Sequence, residues 1–271
     1  MTVSVYQVGR SRCVTIKPMI SAVVLAHNSG DTIGKTLQSL EWCDEVIVVD
    51  DDSTDNTREI ARTHKARVVK RKLEDDFAAQ RNSGLSMAKG DWVLFVDSDE
   101  VVTPELAGEI EKKASERQSV NVSGYYLKRK DWMFGKWLAH GETSRVKLVR
   151  LARRDAGTWR RPVHEVWQIQ GIVGELNSPL LHYPHKNVAQ FIDEVNRYST
   201  LNARFFYAQG AKCPWWHILV YPKAKFFVDY IWYLGFLDGT AGAIVAIMMS
   251  FHSFLTRAKL YFLTHGNEKA V

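Results

Sequence analysis

Within its first hundred residues the chain alternates short apolar runs with segments of helical periodicity, and this alternation constrains the fold more than any other feature. Ile20 to Ala26 (ISAVVLA) is continuous and rich in β-branched residues, too short for a buried helix and suited to a parallel strand covered on both faces. A helix follows, with Asp31 or Thr32 as its cap and Ile33, Leu37 and Leu40 on one face. Val46 to Val49 reads as a second strand, Asp55-Asn56 caps a helix carrying Ile60 and Ala61, and Ala66 to Val69 is a third strand. Phe77 to Ala88 is the next helix, with Gly90 where a left-handed residue would close it. Trp92 to Val96 (WVLFV) is the fourth strand, and Thr103-Pro104 is a cap plus first-turn proline opening another helix. The order βαβαβαβ predicts a doubly wound α/β sheet.

After residue 120 the pattern changes. Gly124 to Lys128, Val146 to Leu151 and Val163 to Ile169 read as strands without intervening helices, which predicts an antiparallel extension of the same sheet. From Val188 the period is helical again, with Phe191, Ile192, Val195, Tyr198, Leu201 and Phe205 at spacings of three and four. Charge divides along the chain: residues 1–120 hold 16 Lys and Arg against 20 Asp and Glu, and the rest hold 20 against 10. Cys13, Cys43 and Cys213 form no CxxC pair, so neither a disulfide framework nor a zinc ribbon is indicated, and a reducing compartment fits. Arg10, Arg12 and Lys17 interrupt every candidate signal-peptide core near the start, which predicts a chain that stays in the cytoplasm.

Ligands of open α/β sheets bind beyond the carboxyl ends of the strands, and two strands here end in acidic clusters. The second runs into Asp50-Asp51-Asp52-Ser53-Thr54-Asp55, and the fourth into Asp97-Ser98-Asp99-Glu100. Two such clusters on one edge repel each other, and a divalent cation held by one or two carboxylates plus phosphate oxygens would compensate them. Asp52 to Asp55 taken alone reads equally well as a turn and helix cap. Asp97-x-Asp99 does not, because it follows five apolar residues and acids at a buried strand end are costly unless solvated or metal-bound.

The sequence resembles the family 2 glycosyltransferases of the GT-A fold. The resemblance rests on ISAVVLAHN (Ile20 to Asn28), VIVVDDDSTDNT (Val46 to Thr57), AAQRNSGLSMAKGDWVLFVDSDE (Ala78 to Glu100) and the helix-opening Thr103-Pro104. It implies a Rossmann-like mixed sheet that binds a nucleotide-diphospho-sugar, with Mg²⁺ or Mn²⁺ as cofactor and a UDP-sugar as donor. Asn28, Asp51, Arg81 and Asp97 would be donor-binding, with Asp51 on the nucleotide base and Arg81 near the diphosphate. Asp99 would be the direct metal ligand and His182 the later histidine that completes the coordination. Glu165, in His164-Glu165 after Arg160-Arg161, would be the base of an inverting transfer, with Asp155 or Glu142 next in line. Taken by itself, a histidine before Tyr183-Pro184 is as readily an ordinary turn or core residue.

Between Arg145 and Arg161 seven of seventeen residues are Lys or Arg against one acid, Asp155. Such a run is usually a solvated face, but beside the base it could hold an anionic acceptor. Nucleic acid is not expected, since the run has one aromatic, Trp159, and no binding module. The tail from Ala203 to Leu263 is rich in Trp, Tyr and Phe interspersed with Lys212, Lys223 and Lys225, and Gly239 to Thr256 is free of formal charge. It reads as helices lying in a membrane interface, one inserted helix, or a soluble core or oligomer contact. With Gly235-Phe236-Leu237-Asp238-Gly239 it is similar to the bacterial lipopolysaccharide-core glycosyltransferases that add β-linked glucose to inner-core heptose.

The expected architecture is therefore a catalytic domain over 1–187, with a nucleotide-sugar half over 20–100 and an acceptor half over 121–187. A helical, aromatic-rich membrane-associating region follows over 188–271. The expected function is transfer of a hexose, most simply glucose, from a UDP-sugar to a lipid-linked or lipopolysaccharide-core saccharide, at an anionic membrane surface on the cytoplasmic face. Two alternatives stand beside it. Asp97-x-Asp99 also fits the nucleophile loop of haloacid-dehalogenase-type phosphatases, although that family places the loop on its first strand. A non-catalytic membrane-associated module could also keep this fold.

Overall fold

The computed structural model describes residues 17–116, 121–184 and 187–266, so Arg10, Arg12 and Cys13 lie outside the described residues. The chain begins with β1 (Ile20–Ala26), α1 (Ile33–Gln38), β2 (Glu45–Asp50), α2 (Thr57–Thr63), β3 (Arg67–Lys70), α3 (Phe77–Met87) and β4 (Trp92–Asp97). A short β5 (Glu100–Val101) and α4 (Pro104–Ser115) follow. The four long strands are parallel in the order β3-β2-β1-β4, as the alternation predicts. β1 is buried throughout because its side chains alternate between two apolar layers. Ala22 and Val24 pack with Ile33, Leu37, Leu106 and Ile110 on one side, and Val23 and Leu25 with Ala78 and Leu85 on the other. α4 opens as expected, with Pro104 in its first turn and the Thr103 hydroxyl accepting from Leu106 N–H.

Gly90 departs from expectation. It is not among the left-handed residues, and α3 gives way to an extended Ala88 instead. A Cβ at Gly90 would lie 2.7 Å from Ser21 N and 2.8 Å from Met19 O, so the glycine permits a close approach of the α3–β4 turn to β1.

The second half contributes β6 (Val122–Met133), β7 (Lys136–Trp137), β8 (Lys147–Arg153), β9 (Gly157–Arg160), β10 (Val166–Ile169), β11 (Ile172–Glu175) and β12 (Leu180–His182). β8 pairs antiparallel with β4 and with β6, extending the sheet as predicted. β11 and β12 instead run parallel to β6. The segment expected to form a third strand of the extension leaves the sheet altogether: β9 and β10 form a separate hairpin. Its paired Trp159 and Trp167 both meet Phe95 of β4 edge-on, at 5.0 and 4.9 Å between ring centroids, and burying this aromatic cluster holds the hairpin against the sheet's face instead of its edge.

Residues beyond 187 form α5 (Val188–Ala208), α6 (His217–Phe226), a π-helical turn at Phe227–Trp232, a 3₁₀ turn at Gly235–Asp238 and α7 (Gly239–Thr264). Phe191, Val195 and Leu201 of the predicted face are buried, while Val188 and Ile192 are exposed. α7 packs along α5. Phe191 and Val195 cluster with Ala241, Val245 and Met248, and also with Met133 and Leu138 of the β6–β7 hairpin. Farther along, Ala203 clusters with Leu260 and Leu263. Lys259 Nζ donates to Asn196 O and to the Ser199 and Thr200 hydroxyls. Asp238 Oδ2 accepts from Ala139 and His140 N–H, tying the turn before α7 to the segment after β7. Gly235–Thr264 is long and apolar enough to cross a membrane by length and composition. Crossing would draw its companion α5, with Asp193, Glu194, Arg197 and Arg204, toward hydrocarbon, where charged groups are expensive.

Candidate active site

Asn28, Asp51, Arg81, Asp97, Asp99, Glu165 and His182 all line one cavity of about 770 Å³. It opens at the carboxyl ends of β1 and β4, where the strand order reverses direction, and strand register alone sets Asp97 beside Leu25 and Asp50 beside Ala26. The first turn after β1 is left-handed at Asn28, whose Oδ1 accepts from Thr54 N–H at 2.8 Å and whose own N–H donates to Ser53 Oγ at 3.0 Å. Asp51 Oδ1 accepts from Leu73 N–H at 2.8 Å, and its Oδ2 lies 3.5 Å from His27 Nδ1. Together these bonds join the ends of β1 and β2 into a polar wall.

Beyond the end of β4, antiparallel pairing of β12 with β5 sets His182 across from Glu100. His182 Nε2 then lies 3.5 Å from Asp99 Oδ2, and its Nδ1 bonds Asp131 Oδ1 at 2.9 Å. Burial lowers the proton affinity of His182, but Asp99 and Asp131 outweigh it and raise the pKa to about 9. Asp131, itself buried and bonded by Arg129, stays below the usual carboxylate range because His182 and Arg129 overcome its desolvation. An imidazole anchored through Nδ1 to a carboxylate, with Nε2 turned toward a second carboxylate, has the arrangement of a metal-ligating histidine once its Nε2 proton leaves. Among the described residues no group of three or more His, Cys, Asp or Glu gathers as a metal cage. Asp99 and His182 thus fit a cation that takes its remaining ligands from phosphate oxygens and water.

Glu165 reaches the cavity on the β9–β10 loop. Arg161 and His164 are left-handed there, Val163 is buried, and Pro162 O accepts from Phe77 N–H at 3.0 Å. Glu165 Oε1 accepts from Arg81 Nε at 2.9 Å. Arg81 is only 3% exposed, its guanidinium 4.7 Å from the Trp159 ring, and its Nη2 also donates to Asp97 Oδ1 at 2.9 Å. Asp97 receives a second guanidinium, that of Arg150. Burial pushes its carboxyl up, yet Arg150 and Arg81 hold it well below the usual carboxylate range. With both oxygens bound to arginine at the end of β4, Asp97 is poorly placed to act as a phosphatase nucleophile.

Three contributors escaped the sequence reading: Arg150, Asp131 and the wall supplied by α5. That wall comprises Gln190, Glu194, Arg197 and Tyr198, so the helix assigned to a membrane region also builds the cavity. Tyr198 stacks on Phe77 at 6.1 Å, and burial pushes its phenol up to about 12. The basic run, conversely, does not act as a unit. Arg150 and Arg161 line the cavity, whereas Lys147 pairs with Glu175, Arg145 lies over Tyr233 and Arg153 over Trp92. Alternation along β8 sends its neighbours to opposite faces.

The model of the family described as Glycosyl transferase family 2 matches residues 21–165. An uncharacterized glycosyltransferase of Rickettsia typhi is 27% identical over 261 residues, with 89% of this chain and 86% of that protein covered. The lipopolysaccharide core biosynthesis glycosyltransferase LpsC of Rhizobium meliloti is 26% identical over 249 residues, covering 89% of this chain and 92% of its own. Glucosyl-3-phosphoglycerate synthase from Mycobacterium tuberculosis, solved with Mn²⁺, UDP and glucosyl-3-phosphoglycerate, has a TM-score of 0.50 at 16% identity. The match covers 75% of this chain and 86% of that one, a likeness of fold.

Proposed function

Because the chain belongs to glycosyl transferase family 2, we propose that it moves a hexose, glucose, from a UDP-sugar to a lipid-linked or lipopolysaccharide-core saccharide, inverting the anomeric centre. The observation that carries this reading is the convergence of Asp99, His182 and Glu165 on one cavity at the carboxyl ends of β1 and β4. In this reading Asn28 and Asp51 border the nucleoside, and Arg81 and Asp97 lie beneath the diphosphate. Asp99 and His182 hold a Mg²⁺ or Mn²⁺ ion, which when bound offsets charge on the leaving diphosphate. Glu165 accepts the proton of the acceptor hydroxyl as that oxygen forms its bond to the anomeric carbon. The bond to the diphosphate breaks on the opposite face, and one displacement inverts the configuration.

The acceptor enters along α5, where Arg161 and Arg197 are the two cavity arginines without a carboxylate at ion-pair distance among the described residues. An anionic acceptor suits that end of the cavity. The test is UDP release from UDP-glucose with Mn²⁺ and native lipid extract, run beside GDP- and dTDP-sugars and a phosphomonoester. UDP release that depends on the extract is expected. Phosphate release from the monoester with no nucleotide-sugar consumed would overturn the reading.

The same reading keeps residues 1–187 as the catalytic domain and gives residues 188–271 a second task, holding the enzyme on the cytoplasmic face of the membrane. Supporting this, Trp232 is 71% and Trp215 64% exposed, and Phe227, Leu219, Leu237 and Ile247 are also exposed within the same C-terminal region. Full chain is expected to sediment with anionic vesicles, more weakly at high salt, and a Trp215→Ser/Trp232→Ser variant to sediment less. Truncation after Tyr207 is a poor test, since it uncovers the side of α5 that α7 buries. If the full chain stays in the supernatant at low salt, the exposed aromatic layer is a subunit contact instead.

A further inference from the structure

Arg150 stands in sequence as one of seven basic residues in a run, yet it is 4% exposed and lines the cavity. Antiparallel pairing of β8 with β4 brings it there, since its neighbour Leu151 pairs with Leu94. Its Nη2 donates to Asp97 Oδ2 at 2.5 Å and its Nη1 to Asp97 Oδ1 at 3.3 Å. On its other side Nη2 lies 3.6 Å from Glu100 Oε1, while Glu100 Oε2 accepts from Asp97 N–H at 2.8 Å. Asp97 Oδ1 also binds Arg81 Nη2, which is 2.8 Å from Glu165 Oε1. Carboxylates and guanidinium groups therefore alternate in the order Glu100, Arg150, Asp97, Arg81, Glu165, from the buried Glu100 to the cavity.

In such a chain each member is held by its neighbours. Taking one cation from a buried network leaves its anions uncompensated, and the remaining groups move to find partners or water. Without Arg150, the Asp97 carboxylate would face Arg81 and Glu100 alone. It would turn toward Arg81 as its only cation, and the guanidinium that holds Glu165 would follow it. A base misplaced by an ångström loses much of its effect.

We infer that Arg150 is a positioning residue for the transfer reaction, acting through Asp97 and Arg81 to hold Glu165 toward the acceptor hydroxyl. This rests on Glu165 being the base, and the experiment separates the two claims. It is a double-mutant cycle on the full chain, made of Arg150→Gln, Glu165→Gln and the pair, read as kcat and KM for UDP-glucose with Mn²⁺ and lipid extract. Arg150→Gln is expected to lower kcat about 10–100-fold with KM for UDP-glucose changed less than about 3-fold, and in the Glu165→Gln background to cost less than about 3-fold. Arg150→Lys keeps the charge, loses the two-pronged hold and should recover part of kcat. If Arg150→Gln does not melt cooperatively, Arg150→Lys carries the same cycle. Effects that multiply independently, or a rise in KM with kcat intact, overturn the positioning role while Glu165 remains the base. A Glu165→Gln variant with parental turnover instead overturns the base assignment itself.

Discussion

Glu165→Gln is expected to retain UDP-sugar affinity and lose turnover by ~10²–10⁴, the usual contribution of a positioned general base. The substitution isolates the proton transfer, because the glutamine carbonyl can still accept the Arg81 hydrogen bond that Glu165 Oε1 accepts at 2.9 Å. Ground-state contacts to the donor are therefore left in place, and the loss should appear in kcat. Steady-state kinetics together with calorimetric titration of UDP check both halves. Turnover within a few-fold of the parent would move the base elsewhere. The acids next in line by sequence are then poor candidates: Glu142 pairs with Lys225, and neither it nor Asp155 lines the cavity. Glu194, on α5, does line it.

Asp99→Ala is expected to remove donor turnover and to abolish the gain in UDP affinity that Mn²⁺ confers. His182 Nε2 lies 3.5 Å from Asp99 Oδ2 while its Nδ1 is taken up by Asp131, so losing either Asp99 or His182 leaves a cation with little protein hold. Asp131→Asn should be milder, about 10–100-fold in metal affinity, because it loosens the orientation of His182 without removing a ligand. Titrating UDP into the parent and both variants, with and without Mn²⁺, separates the two effects. Full activity in excess EDTA would falsify the metal assignment.

Much of this site is legible in the sequence because it depends on local pattern. The parallel block follows from β-branched runs at regular spacing, and the acidic clusters of Asp50 to Asp55 and Asp97 to Glu100 sit where such runs end. The Thr103-Pro104 start is a one-turn motif whose geometry needs no distant partner. What residue pattern alone does not show are contacts made by strand register between distant segments, and only the family resemblance put Asp99 and His182 on one cation. His182 meets Asp99 through β12–β5 pairing, and Arg150 meets Asp97 through β8–β4 pairing. A shift of one residue in either strand would turn those side chains to the opposite face, and nothing in the local composition reports the register. The hairpin that carries Glu165 left the main sheet because two tryptophans found Phe95, a long-range packing choice that the alternation of Val163 to Ile169 does not encode. The apolar face of α5 announced a helix, but only packing against α7 and the β6–β7 hairpin decided that Gln190, Glu194, Arg197 and Tyr198 would line the cavity.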